Sequence, residues 1–164
     1  MISVFSCVAS SKAITISQAL EQMKRFCAYQ ERCISDVRQK LYKDGFRGDE
    51  AEWAIAELIS EGYLNEERFA RSFARGKFRI NKWGRIKIEI ELRRRAVSSG
   101  NIRRGLSEIS DSVYEKCLRD LIKKLGGTEA SDKAKLKIKR SLMQRGFEPE
   151  LIARFMKVPN EEEF

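Results

Sequence analysis

Leu41-Tyr42-Lys43-Asp44-Gly45-Phe46 and Leu142-Met143-Gln144-Arg145-Gly146-Phe147 carry one pattern at two distant places in a 164-residue chain. A relaxed copy, Leu92-Arg93-Arg94-Arg95-Ala96-Val97, lies between them. In each, a leucine marks the buried side of a helix. A glycine or alanine stops the helix, and an apolar residue follows the stop. Four residues before each leucine stands Val37, Ile88 or Ile138. Ten after stand Ala51, Ile102 and Ile152, and fourteen after stand Ile55, Leu106 and Met156. The first two copies continue in step, with Leu58 against Ile109 and Tyr63 against Tyr114. The period is 51 and then 50 residues. Apolar matches at this many offsets in three copies define an internal repeat.

Helix signals fall inside that frame. Thr15 or Ser17 caps a first helix through Tyr29, with Ile16, Leu20, Met23 and Cys27 on one face. Each repeat then reads as three short helices: 35–44, 49–61 and 65–79; 85–96, 100–110 and 112–125; 129–145 and 148–157, with no third. Asp49 and Asn65 are the expected caps of the second and third helices. Glu66 and Glu67 sit in the first turn of the third, where the helix dipole favours acids. The expected fold is all-α, an elongated array of tandem three-helix repeats built from helix-turn-helix-like units. Its expected parts are a frayed tail 1–14, an N-terminal helix 15–34, repeats 35–83 and 84–127, a partial repeat 128–158 and an acidic tail 159–164. A unit of about 50 residues buries little surface alone, so neighbours must pack. Leu41, Gly45, Phe46, Tyr63, Phe69, Leu92, Leu142, Gly146 and Phe147 are the expected structural positions.

One run conflicts with this frame. Ile86, Ile88, Ile90 and Leu92 alternate with charged residues, the period of a strand. The repeat register instead pairs Ile88 with Leu92 at i, i+4, and no turn signal or hairpin partner flanks the run. Helix is the reading adopted.

Composition narrows the chemistry. The chain has no histidine, which removes Ser-His-Asp and Cys-His nucleophile pairs and any imidazole base or zinc ligand. Cys7, Cys27, Cys33 and Cys117 form no CxxC pair and read as reduced core or incidental thiols. No GxxxxGK[ST] or GxGxxG loop is present. Asp49, Glu50 and Glu52 read as a helix start, not a metal site. No catalytic residue, metal or cofactor is expected. The apolar start Met1 to Ala9 lacks a basic flank, and no apolar run approaches the ~20 residues of a membrane span. A cytoplasmic protein without membrane contact is expected.

The charge is concentrated. The chain holds 33 basic and 24 acidic residues, net +9. Residues 66–104 alone hold 13 basic and 4 acidic groups, so the whole surplus lies in that window. Arg71, Arg75 and Arg79 follow one another at i, i+4, i+8, and Arg68, Lys77, Lys82, Arg85, Lys87, Arg93, Arg94, Arg95, Arg103 and Arg104 complete the set. Arginine-rich surface suits phosphate or carboxylate partners. Phe78 and Trp83 are placed among the cations to stack on bases. A second stretch, Lys133, Lys135, Lys137, Lys139 and Arg140, reads as solvated surface.

Gly62-Tyr63-Leu64-Asn65-Glu66-Glu67-Arg68-Phe69-Ala70 resembles the signature of the RecX family of recombinase regulators. Ser35-Asp36-Val37-Arg38-Gln39-Lys40-Leu41, Gly84-Arg85-Ile86 and Leu142-Met143-Gln144-Arg145-Gly146-Phe147 resemble its further motifs. The resemblance covers about residues 17–157. Ala96 stands where the family often has glycine, and Ser98-Ser99-Gly100 alters the turn beyond it. The resemblance implies tandem three-helix repeats and no catalytic residues. It also implies a partner, the RecA filament on single-stranded DNA, whose ATPase, strand-exchange and coprotease activities such proteins lower. The expected protein is a monomeric, non-enzymatic RecA modulator that binds single-stranded DNA weakly and with strong salt dependence. The competing readings are a stand-alone basic DNA-binding regulator and, without support from any acid cluster, a nuclease.

Overall fold

The computed structural model describes residues 14–127 and 131–157. The expected tails 1–14 and 159–164 lie outside the described residues, apart from Ile14. Among the described residues there are nine helices and no strand. They are α1 (Ile16–Tyr29), α2 (Ile34–Lys43), α3 (Asp49–Ser60), α4 (Glu66–Asn81), α5 (Arg85–Arg94), α6 (Ser99–Leu106), α7 (Asp111–Lys124), α8 (Asp132–Gln144) and α9 (Pro149–Lys157). The chain divides into two compact units, one ending at Leu64 and the other starting at Asn65.

In the first unit α1 and α2 both pack on α3. α1 starts at a reciprocal cap: the Thr15 hydroxyl accepts from the Gln18 amide, and the Gln18 side chain accepts from the Thr15 amide. Ala19, Leu20, Met23 and Cys27 of α1 meet Val37 and Leu41 of α2 and Ala51, Ala54, Ile55 and Leu58 of α3, with Phe46 and Leu64 closing the core. The expected cap at Asp49 moves back one residue. Gly48 holds that position with a positive φ, and Asp49, Glu50 and Glu52 fill the first turn.

The second unit contains α4 to α9. α4 is capped by the Asn65 side chain, as expected, which accepts from the Arg68 amide at 2.8 Å. α4, α5 and α6 pack together, and α7 and α8 both pack on α9. α4 and α6 approach so closely that a Cβ on Gly105 would lie 2.8 Å from the Ala70 carbonyl. The helices therefore group as α1–α3, α4–α6 and α7–α9. The expected boundaries 35–83 and 84–127 cut across these trios, because α1 is a full member of the first one. Each third helix of the expected scheme opens the next trio.

The repeat itself is realised at atomic detail. Phe46, Val97 and Phe147 each donate their amide to the carbonyl five residues back, on Leu41, Leu92 and Leu142. Gly45, Ala96 and Gly146 each donate to the carbonyl three residues back. All three stand at positive φ, so one helix-ending motif occurs three times. Ala96 keeps the geometry of its glycine counterparts at the cost of left-handed strain. Leu41, Leu92, Leu142, Phe46, Val97 and Phe147 are buried. The alternating run is helical: Ile88 and Leu92 point into the core while Ile86 and Ile90 are exposed.

Tyr63 departs from its expected structural role. It is 37% exposed, whereas its sequence match Tyr114 is 1% exposed. The second helix is 12 residues long in the first trio and 8 in the second, so the register slips after it. Tyr114 stands four residues past the cap of α7 at Ser110, as Phe69 stands four past the cap of α4 at Asn65. Phe69, buried as expected, is its true counterpart.

Candidate functional site

The cations of residues 66–104 all lie in the second unit, on α4, α5, α6 and their turns. They fall into groups with different surroundings.

The first group ties α4 to α6. Arg71 pairs with Glu67 one turn back, at 2.9 Å, and with Glu108 beyond α6. Arg75 reaches the same Glu108 at 3.2 Å, and Arg104 reaches Glu67 at 3.3 Å. Glu66 accepts from the Asn101 side chain at 2.7 Å and the Ser98 amide at 3.2 Å. The carboxylates hold the Arg71 guanidinium further above its ordinary value, chiefly through the bond to Glu108. Much of the expected arginine stripe is therefore internally neutralised. Arg79, the third member, is exposed, and its side chain makes no hydrogen bond or ion pair among the described residues. Arg103 is exposed in the same way.

The second group ends α5. Arg93 pairs with Glu89 and Arg94 with Glu91, both at 2.7 Å. Arg95 bonds the Glu91 carboxylate at 3.0 Å and lies over the Phe73 ring at 5.0 Å. The bond from Arg95, then the charges of Arg94 and Arg95, hold the Glu91 carboxyl below its ordinary value. Arg93 and Arg94 remain largely exposed and Arg95 is half-buried.

Arg85 has a different job from the one expected. Its guanidinium lies 4.4 Å from the Tyr114 ring centroid and donates to the Ile109 carbonyl and Asp111, each at 2.7 Å. Its amide donates to the Tyr114 hydroxyl at 3.0 Å, and that hydroxyl donates to Glu148 at 2.7 Å. Arg85 thus pins α5 to α7 and is not a free surface cation. Burial, more than any partner, pushes the Tyr114 phenol above its ordinary value. Phe78 is also corrected. It is buried against Tyr114, at 5.7 Å between centroids, and Tyr114 stacks on Phe147 at 5.1 Å, so Phe78 offers no face to a base.

The last group surrounds the α4–α5 turn. Trp83 is half-buried, with the Lys77 ammonium 5.0 Å and the Lys87 ammonium 4.5 Å from its ring. Lys82 caps α4 in the left-handed region, and its side chain is exposed. Arg145 reaches the Asn81 carbonyl at 3.5 Å. Sequence reasoning passed over Arg145 and the aromatic role of Tyr114. The spacing of Tyr114 from the Ser110 cap was the available signal for the last.

Models of the RecX three-helix domains match this chain in order: the first at residues 19–58, the second at 65–106 and the third at 111–156. These spans coincide with the trios α1–α3, α4–α6 and α7–α9. The chain belongs to the RecX family. The "Regulatory protein RecX" of Lactobacillus johnsonii is 30% identical over 143 residues, covering 85% of this chain and 53% of that protein. The protein of the same name from Prosthecochloris aestuarii is 26% identical over 136 residues, covering 82% and 89%. The chain spans about half the length of the first relatives it matches. The crystal structure of RecX from Lactobacillus salivarius superposes with a TM-score of 0.77 at 22% identity, covering 87% of this chain and 94% of that one. That likeness supports the same all-α repeat fold. Among the described residues of this RecX-family chain, no group of three His, Cys, Asp or Glu could hold a metal ion. No helix among them is long and apolar enough to cross a membrane. Cys27 and Cys33 are buried and form no disulfide among the described residues, and burial pushes the Cys33 and Cys117 thiols up.

Proposed function

We propose that this chain is a non-enzymatic regulator that binds the RecA filament on single-stranded DNA and lowers its ATPase, strand-exchange and coprotease activities. The observation that carries the reading is the match of all three trios to RecX domains, in order and without gaps of a whole trio. The second trio supplies the contact surface. Arg93 and Arg94 at the end of α5, and Arg103 and Arg104 on α6, are exposed at the arginine-rich heart of the chain. Such a surface fits the acidic side chains and phosphates that a nucleoprotein filament presents. Linked trios give several weak contacts to successive protomers, and their product exceeds any one of them. The protein acts as a monomer in the cytoplasm, without membrane or cofactor.

The alternative is a basic regulator that acts on DNA alone. The two separate in one comparison. A RecA modulator inhibits the single-stranded-DNA-dependent ATPase of RecA and spares an unrelated ATPase that needs the same DNA. Equal inhibition of both enzymes supports the DNA-only reading.

A further inference from the structure

Among the described residues no carboxylate reaches the cations gathered at the α4–α5 turn, unlike most of the arginines on α4, α5 and α6. Lys77 and Lys87 come from different helices and bring two ammonium groups to one indole, that of Trp83. The Lys77 ammonium also lies 5.3 Å from the Phe73 ring, and the Lys87 ammonium 3.5 Å from the Gln144 carbonyl. Lys82 and Arg79 flank them, exposed and without an ion pair among the described residues. The Arg145 guanidinium approaches from the α8–α9 turn and meets the Asn81 carbonyl. Elsewhere in the second unit Glu67, Glu89, Glu91 and Glu108 pair with Arg71, Arg75, Arg93, Arg94, Arg95 and Arg104. Like charges gathered from three elements repel unless an anion lies among them.

The backbone here is fixed. The Gly84 amide donates to the Arg145 carbonyl at 2.7 Å and the Ile86 amide to the Gly146 carbonyl at 3.1 Å, so the turn is held before any ligand arrives. Ile80, next in sequence to Arg79, is 81% exposed.

We propose that the Trp83 turn is a phosphodiester-binding site for single-stranded nucleic acid, with Lys77, Lys82 and Lys87 on successive phosphates and the exposed part of Trp83 against a base. Compact ammonium groups on flexible stems suit phosphates presented by a pliable strand, whereas the paired arginines of α5 and α6 suit carboxylates. A carboxylate-bearing protein would meet no forked donor at the turn except Arg79 and Arg145. This inference deepens the functional reading by separating its DNA contact from its protein contact, and rests on that reading only for the choice of DNA.

The test uses the full chain without RecA, so it can fail while the regulatory reading stands. A fluorescein-labelled oligothymidylate is titrated at several salt concentrations, and circular dichroism checks the fold of every variant. Lys77→Gln with Lys87→Gln is expected to weaken binding roughly tenfold and to flatten the salt slope by about 1.4, at about 0.7 per phosphate contact on single strands. Lys133→Gln with Lys137→Gln removes the same charge from α8 and is expected to leave affinity within about twofold. In a Trp53→Phe background the remaining indole reports the site, and its fluorescence is expected to change on adding the oligonucleotide. Three results overturn the proposal: equal losses from the two lysine pairs, an unmoved Trp83 signal at saturation, or equal affinity for phosphatidylglycerol vesicles of matched phosphate content.

Discussion

Gly84 and Gly146 meet backbone to backbone. The Gly84 amide donates to the carbonyl before Gly146, and a Cβ at Gly84 would overlap the Gly146 carbonyl. A Cβ at Gly146 would in turn overlap Lys87. This contact joins the start of α5 to the α8–α9 turn, so two small residues position the second trio against the third. Gly84→Ala forces backbone to move and is expected to cost at least about 1–3 kcal/mol in urea unfolding. Gly76→Ala, in α4 with nothing within 4 Å of the new Cβ, is the control. It is expected to raise stability by roughly 0.5–1 kcal/mol, as Ala replaces Gly inside a helix.

Ala96 is the one member of the three helix stops that is not glycine. Its φ of 57° costs an L residue roughly 1–2 kcal/mol. Ala96→Gly is expected to raise the thermal midpoint, while Gly45→Ala, at φ 96° in the same motif, lowers it. A fall in midpoint for Ala96→Gly would contradict the shared motif.

Phe147 and Phe46 hold the same place in their trios but not the same burial. Phe147 is sealed against Tyr114, while Phe46 lies nearer the surface of its core. Phe147→Ala is expected to cost about 3–5 kcal/mol, the usual range for a buried phenylalanine, and Phe46→Ala less. Equal small losses in thermal melts would argue against the repeat as the organising unit.

Glu91 gives the second unit an acid-sensitive element. Its carboxyl is held below the ordinary 4.5, first by the hydrogen bond from Arg95. The folded state therefore binds the proton less readily than the unfolded chain, and the contribution is complete above 4.5. It is lost as pH falls through the lowered value. Urea midpoints measured on acidification below about pH 4.5 are expected to fall, and Glu91→Gln to fall less steeply over that window. Parallel curves would remove Glu91 from the account.

Most of the fold could be read from Leu41, Leu92 and Leu142 with the stops that follow them, because helix-ending chemistry is local and repeats. The grouping of helices was less legible. The chain boundaries of a trio depend on which faces pack, and α1 carries no copy of the stop motif to reveal its membership. The alternation at Ile86, Ile88, Ile90 and Leu92 misleads for a related reason: a helix that leaves Ile86 and Ile90 exposed looks like a strand in sequence. For the surface, the sequence located the cations but not their partners. Glu108 lies outside the basic window yet neutralises Arg71 and Arg75, and Arg85 and Phe78 are drawn inward by Tyr114. Long-range pairing of this kind leaves no periodic trace.

The ATPase of RecA on single-stranded DNA, titrated with wild-type protein and with the Arg94→Glu, Arg104→Glu double variant, tests the central claim most directly. Both side chains are exposed, and of their partners Glu67 is partly exposed while Glu91, more buried, keeps its bond from Arg95. Exposed ion pairs contribute about 0–1 kcal/mol each, so the variant is expected to stay folded with a thermal midpoint only a few degrees lower. The account predicts inhibition by the wild type at less than one molecule per RecA protomer, and no inhibition by the folded variant at the same concentrations. No inhibition by the wild type at any ratio would contradict the proposed function, and full inhibition by the variant would contradict the placing of its contact on the second trio.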